Sequence, residues 1–215
     1  MAVIFPRWTN KVPLLLAMGV PFVAVGAVFA ISYWFSPKFL EAGYAPPQPV
    51  AFSHALHAGD LGLDCRYCHN TVEEAAHAAI PPTSTCINCH ANVRTDSPLL
   101  HPVREAWATG EPIPWVKVHM LPDYAFFNHS VHVAAGVGCV SCHGRVDQMD
   151  VVYQHAPLSM AWCLDCHRNP DPHLRPRGEV TNMAWDRVEA NYDPARDPAR
   201  TRDLNPPQHC SGCHR

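Results

Sequence analysis

The sequence predicts one N-terminal membrane-spanning helix followed by a mostly helical and irregular, loop-rich domain with little or no β-structure. Three observations predict it. From Val12 to Phe35 the chain reads "VPLLLAMGVPFVAVGAVFAISYWF", 24 residues without a formal charge. The motif C-x-x-C-H then occurs five times and consumes all ten cysteines. No stretch alternates apolar and polar residues long enough to read as a strand, and the 22 prolines punctuate the chain throughout.

The apolar run exceeds the roughly 20 helical residues that a hydrocarbon core requires. It is also longer than the roughly 7–15-residue apolar core of a cleaved signal peptide, so it reads as a retained signal anchor. "ISYWF" closes it with aromatics suited to a membrane interface. Arg7 and Lys11 precede it, which by the positive-inside rule leaves residues 1–11 in the cytoplasm and the rest of the chain outside. Pro21 lies within the run and lacks an amide hydrogen, which membrane helices tolerate. The expected location is a bacterial inner membrane, crossed once, with the cysteine-rich domain on the periplasmic side. Formal charge is −3 and no basic stripe is present, so nucleic acid is excluded as a partner.

C-x-x-C-H is the attachment signature of c-type haem, two thiols bonding the porphyrin while the histidine ligates iron. The covalent positions are Cys65 and Cys68, Cys86 and Cys89, Cys139 and Cys142, Cys163 and Cys166, and Cys210 and Cys213. The proximal iron ligands are His69, His90, His143, His167 and His214. A structural disulfide framework does not repeat a two-residue spacing five times, and five Cys-Cys-His sets do not resolve into four-ligand zinc sites. Five haems on about 180 residues leave roughly 36 residues for each, too few for a large side-chain core, so the porphyrins themselves serve as core.

An internal repeat organises this part. "FSHALHAGDLGLDCRYCHN" at Phe52–Asn70 and "FNHSVHVAAGVGCVSCHG" at Phe127–Gly144 share F-x-H-x-x-H followed by C-x-x-C-H, and each is followed by a second C-x-x-C-H. The divisions are 12–35 anchor, 36–51 linker, 52–94 first dihaem module, 95–126 connector with a short helix near Val103–Thr109, 127–170 second dihaem module, and 171–215 an extended arm carrying the fifth motif. Short helices are expected at each F-x-H-x-x-H, where i and i+3 share a face, and at each C-x-x-C-H.

Ten histidines lie outside the motifs, and at most five sixth-ligand positions exist for them. The candidate distal ligands are His54, His57, His119, His129, His132 and, as the methionine that would raise one haem's potential, Met149. His77, His155 and Met160 remain alternatives, whereas His101, His173 and His209 lie in polar, proline-rich contexts and read as solvated or as propionate contacts. Arg145, Arg168 and Arg215 adjoin motif histidines and read either as propionate contacts or as exposed arginines. No catalytic triad, carboxylate pair or phosphate loop competes with an electron-transfer reading.

F-S-H-A-L-H and F-N-H-S-V-H ahead of C-x-x-C-H resemble the class III multihaem cytochromes. That resemblance implies that His54 and His129 ligate the haem attached just downstream, and that His57 and His132 reach a neighbouring haem. The whole pattern is similar to the pentahaem cytochrome c subunits of bacterial alternative complex III. The anchor, "FSHALH…CRYCH…IPPTSTCINCH", "VHMLPDYAFFNHSVHVAAGVGCVSCHGRVDQM", "LSMAWCLDCHRNP" and "CSGCHR" carry the likeness. It implies an electron-carrying component rather than a catalytic chain by itself, with mostly His/His ligation. Implied partners are an iron–sulfur-cluster subunit, polytopic quinol-binding membrane subunits, a periplasmic monohaem cytochrome c or terminal oxidase downstream, and membrane lipid. The alternative is a stand-alone membrane-anchored multihaem quinol dehydrogenase feeding a periplasmic reductase.

Overall fold

A computed structural model describes residues 5–36, 39, 41–197 and 204–214. The chain falls into two compact units, 1–41 and 42–215. In the first, a 3-10 turn at Arg7–Lys11 leads into helix α1, Val12–Trp34. Pro13 occupies the first turn, where its missing N–H has no intrahelical partner to lose, and the helix continues through Pro21. Its 23 residues rise about 34 Å at about 1.5 Å each, enough for a hydrocarbon core of about 30 Å. Leu15, Val20, Phe22, Val25 and Phe29 stand exposed on all sides of it. Tyr33, Trp34 and Phe39 pack edge-on or tilted at its C-terminal end, with ring centres 4.6–5.8 Å apart.

The second unit is built from short helices and turns, and among the described residues it contains no strand. Two isolated bridges, Ala125 with His214 and Val137 with Leu174, are its β-contacts. Each cysteine motif sits on a helix or helical turn: α2 Cys65–Cys68, α3 Thr83–His90, α6 Val140–His143, α7 Met160–Arg168 and α8 Cys210–Cys213. Between them lie α4, His101–Thr109, and α5, His129–Ala135. Local chemistry starts and stops these pieces. Asp64 caps α2 by accepting from the Arg66 amide at 2.8 Å, Asn128 caps α5 through the Ser130 amide at 2.9 Å, and Ser159 caps α7 through Trp162 at 3.3 Å. Gly136 ends α5 in the left-handed region, φ 87°, where a side chain would also meet the Arg175 carbonyl.

The first F-x-H-x-x-H adopts a π-helical turn, Ala55–Asp60, whereas its counterpart is the α-helical α5. Contact with a neighbouring turn accompanies the difference. Gly59 lies directly on the Asp147 carbonyl, the Ala55 amide donates to the Met149 carbonyl at 3.1 Å, and Ser53 Oγ donates to Asp150 Oδ1 at 2.7 Å.

Few side chains are fully buried. Leu174, Val180 and Gln154 are at most 1 % exposed, and Val50, Val103 and Ala156 are also buried. Two of the three most buried come from the proline- and arginine-rich stretch that the sequence presents as an extended arm. That stretch folds in 3-10 turns, Asp171–His173, Arg177–Glu179 and Pro194–Arg196. Arg175 anchors it from within: its amide donates to the Gly136 carbonyl at 2.9 Å, Nη1 to the Asn182 carbonyl at 2.8 Å, and its guanidinium lies 4.9 Å from the Trp185 ring centre. Leu174→Ala is expected to cost about 2–5 kcal/mol in a denaturant titration of the haem-loaded protein, and an unchanged midpoint would contradict this placement of the core.

Candidate functional site

The motif histidines are oriented by the backbone. His69 Nδ1 lies 2.7 Å from the Ala79 carbonyl, His90 Nδ1 3.1 Å from that of Val93, His167 Nδ1 2.7 Å from that of Pro207, and His214 Nδ1 3.2 Å from that of Tyr124. A carbonyl can only accept, so Nδ1 carries the proton in each ring and Nε2 keeps the lone pair that binds a metal. His143, the fifth, directs Nδ1 at Nε2 of His119, 3.3 Å away.

The two F-x-H-x-x-H phrases fold into matching clips. Phe52 meets His54 edge-on at 4.8 Å and stacks on His57 at 4.4 Å; Phe127 meets His129 edge-on at 4.8 Å and stacks on His132 at 4.5 Å. The aromatic ring therefore fixes both imidazoles of its clip. His57 Nδ1 is bonded to the Ser53 carbonyl at 2.8 Å, His132 Nδ1 to that of Asn128 at 2.7 Å, and His129 Nδ1 to that of Ala76 at 2.8 Å. All three thus present Nε2 as the motif histidines do.

What these rings face is specific. The ring centre of His57 lies 6.2 Å from that of His90, His132 lies 6.1 Å from His167, and His129 lies 6.4 Å from His143 with the planes only 14° apart. In both repeats the second histidine of the clip addresses the second motif. His129 addresses the first motif of its own repeat, and His54 lies near His69, the corresponding histidine.

His54, His69, His119, His129 and His143 gather into a central cluster, with His119 and His143 ring centres 4.4 Å apart. Burial, then the neighbouring imidazoles, lowers the pKa of His143 to about 3 and that of His54 to about 4. Burial also lowers His119 and His132. All four are thereby held neutral, the form that binds a metal. Nδ1 of His54 is buried without a hydrogen-bond partner. None of the ten cysteines is in a disulfide, and Cys65 and Cys139 lie next to each other across the two repeats.

The remaining candidates separate by exposure. Met149 is buried at 7 % beside the first clip, whereas Met160 is exposed. His77 and His155 are exposed, the latter with its ring against Gly144, which has φ 66°. His101 lies at the surface 3.8 Å from Glu105, and His209 Nδ1 is 3.1 Å from Ser211 Oγ. Arg145 forks onto Asp147 at 2.7 and 2.8 Å, an ion pair made within the chain, and Arg168 is exposed. Arg215 lies outside the described residues. Sequence reasoning did not single out the carbonyls that orient the imidazoles, because they belong to the backbone. It also passed over Arg175, whose partners lie in both directions along the chain.

The donor set fits c-type haem. An iron bonded to two imidazoles at about 2 Å each sets the ring centres about 6 Å apart, the separation of the three facing pairs. A metal bond would also satisfy an imidazole whose other nitrogen is already committed. Residues 50–105, which hold the first clip and the first two motifs, match the family described as cytochrome c7 and related cytochrome c. A relative in Nitratidesulfovibrio vulgaris, "Menaquinone reductase, multiheme cytochrome c subunit", is 32% identical over 174 residues, covering 71% of this chain and 81% of that protein.

His57→Ala and His132→Ala each remove one ring of a facing pair. Each variant is expected to turn one six-coordinate low-spin haem into a high-spin, CO-binding one and leave the others unchanged. Electron paramagnetic resonance and CO difference spectra read the change, and unaltered spectra in both variants would contradict the pairing.

Proposed function

Because this chain belongs to the family of cytochrome c7 and related multihaem cytochromes c, we propose that it carries five haems and relays electrons in a membrane quinol:electron acceptor oxidoreductase of the alternative complex III kind. Each cysteine pair holds one porphyrin and the adjoining motif histidine ligates its iron. His54 and His57 cap the haems of the first repeat, and His129 and His132 those of the second. Bound haem supplies a one-electron iron(II)/iron(III) couple whose potential follows its ligands and surroundings. The chain's own residues orient these imidazoles through their Nδ1 hydrogen bonds, and each opposed pair would leave its iron no open coordination position.

The observation that carries this reading is the set of three facing histidine pairs. Two protein ligands on one iron leave no place for substrate, which suits transfer rather than catalysis. Helix α1 acts as a retained anchor, and Arg7 and Lys11 before it favour the haem-bearing unit on the periplasmic side. Polytopic quinol-binding subunits and an iron–sulfur subunit then deliver electrons, and a periplasmic cytochrome c or an oxidase receives them.

The menaquinone reductase relative favours a second reading, in which electrons run toward quinone instead. Both readings make this chain one subunit of a quinone-linked complex. Mass spectrometry of the purified holoprotein is expected to show five haem additions, and the isolated chain is expected not to oxidise quinol. Quinol oxidation without partners would establish the stand-alone dehydrogenase instead. Assay of the whole complex with menaquinol and with menaquinone gives the direction.

A further inference from the structure

We propose that the five attachment sites form one unbranched line whose order differs from their order in the sequence. The line runs Cys86/Cys89, Cys65/Cys68, Cys139/Cys142, Cys163/Cys166, Cys210/Cys213, with electron exchange at its two ends. The inference rests on the five-haem reading above.

Each link has its own contacts. The first clip joins the first two sites, since His57 faces His90 from the turn that His54 directly precedes, and Asn88 Nδ2 donates to Tyr67 Oη at 3.3 Å between their helices. The two repeats meet through their first motifs. The Cys139 amide donates to the Val180 carbonyl at 3.0 Å, and the next residue, Thr181, donates Oγ1 to Asp64 Oδ2 at 3.0 Å, beside Cys65. Two consecutive arm residues thus staple Cys139 to the start of the Cys65 helix. The loop after the first motif completes the joint: the Ala76 and Ala75 carbonyls accept from the amides of His129 and Ser130 at 3.1 and 3.2 Å.

Beyond the joint, α5 presents His129 to His143 and His132 to His167, which sets the third and fourth sites side by side. The fourth joins the fifth through the segment leading into Cys210: His167 Nδ1 lies 2.7 Å from the Pro207 carbonyl, and Gln208 Nε2 donates to the His167 carbonyl at 3.5 Å. Accessibility agrees with the ends. Of the ten cysteines, Cys89 and Cys210 are exposed and the other eight half-buried. With a haem held at each cysteine pair, each transfer along the line would oxidise one iron(II) to iron(III) and reduce its neighbouring iron(III) to iron(II), with no atom moved. A one-electron donor centre of a partner serves one end and a one-electron acceptor centre the other.

The test is two-dimensional proton NMR of the reduced wild-type holoprotein in detergent micelles, each haem being assigned to its motif through its thioether protons. Through-space contacts are expected for the four neighbouring pairs of the line. A neutral gadolinium chelate is expected to broaden the Cys86/Cys89 and Cys210/Cys213 haems most. A contact joining the Cys86/Cys89 haem to the Cys163/Cys166 or Cys210/Cys213 haem would overturn the order, as would absence of a contact across the joint. Broadening centred on the Cys65/Cys68 or Cys139/Cys142 haem would overturn the ends. Fewer than five haems would instead overturn the reading on which the order rests.

Discussion

The hydrogen bond from histidine Nδ1 to a backbone carbonyl is the interaction on which the rest of this structure depends. It occurs at four of the five motif histidines and at three of the four clip histidines. An imidazole free to flip could offer either nitrogen. One tied to a carbonyl offers only Nε2, in a fixed direction. The acceptors at Ala76, Ala79 and Pro207 come from segments that are themselves irregular. The loops between motifs therefore hold these imidazoles in place, which gives a physical reason for a loop-rich chain to hold a defined shape.

A second constraint is the scarcity of ordinary core. The buried apolar residues Val50, Val103, Leu174 and Val180 are scattered along the chain rather than gathered on a few long faces. A unit with helices of four to nine residues and so few buried side chains gains limited stability from side-chain packing alone. Covalently attached porphyrins would supply the missing apolar volume. The arm at 171–197 then acts as a strap, with Arg175 buried against Gly136, Asn182 and Trp185, and with Val180 and Thr181 gripping both repeats. Burying that cation lowers its pKa, a cost that its carbonyl bonds and the Trp185 face offset.

Much of this was legible in the sequence because its signals are local. The membrane-length helix follows from an uncharged run, the helical class from short motifs without strand alternation, and a short connector helix is expected near Val103–Thr109, where the structure has one at His101–Thr109. What escaped the sequence is non-local. Nothing in "FSHALHAGD" announces a π-helical turn, because its crowding comes from Asp147, far along the chain. The polar, proline-rich composition of 171–215 suggested an extended arm, yet Leu174 and Val180 within it are among the most buried side chains, held by 3-10 turns that leave little periodic trace. The partners of His57 and His132 were likewise invisible, since a repeated spacing says that two histidines act together without saying what each one faces.

The central claim is the proposal that the opposed imidazole pairs, His57 with His90, His132 with His167 and His129 with His143, would each saturate one iron. The most direct measurement is the spin state of the fully oxidised wild-type holoprotein, by resonance Raman and low-temperature electron paramagnetic resonance together. The account predicts spectra dominated by six-coordinate low-spin haem. A dominant five-coordinate high-spin population would contradict it and would make this a chain with open irons, built for chemistry on a ligand rather than for the passage of electrons.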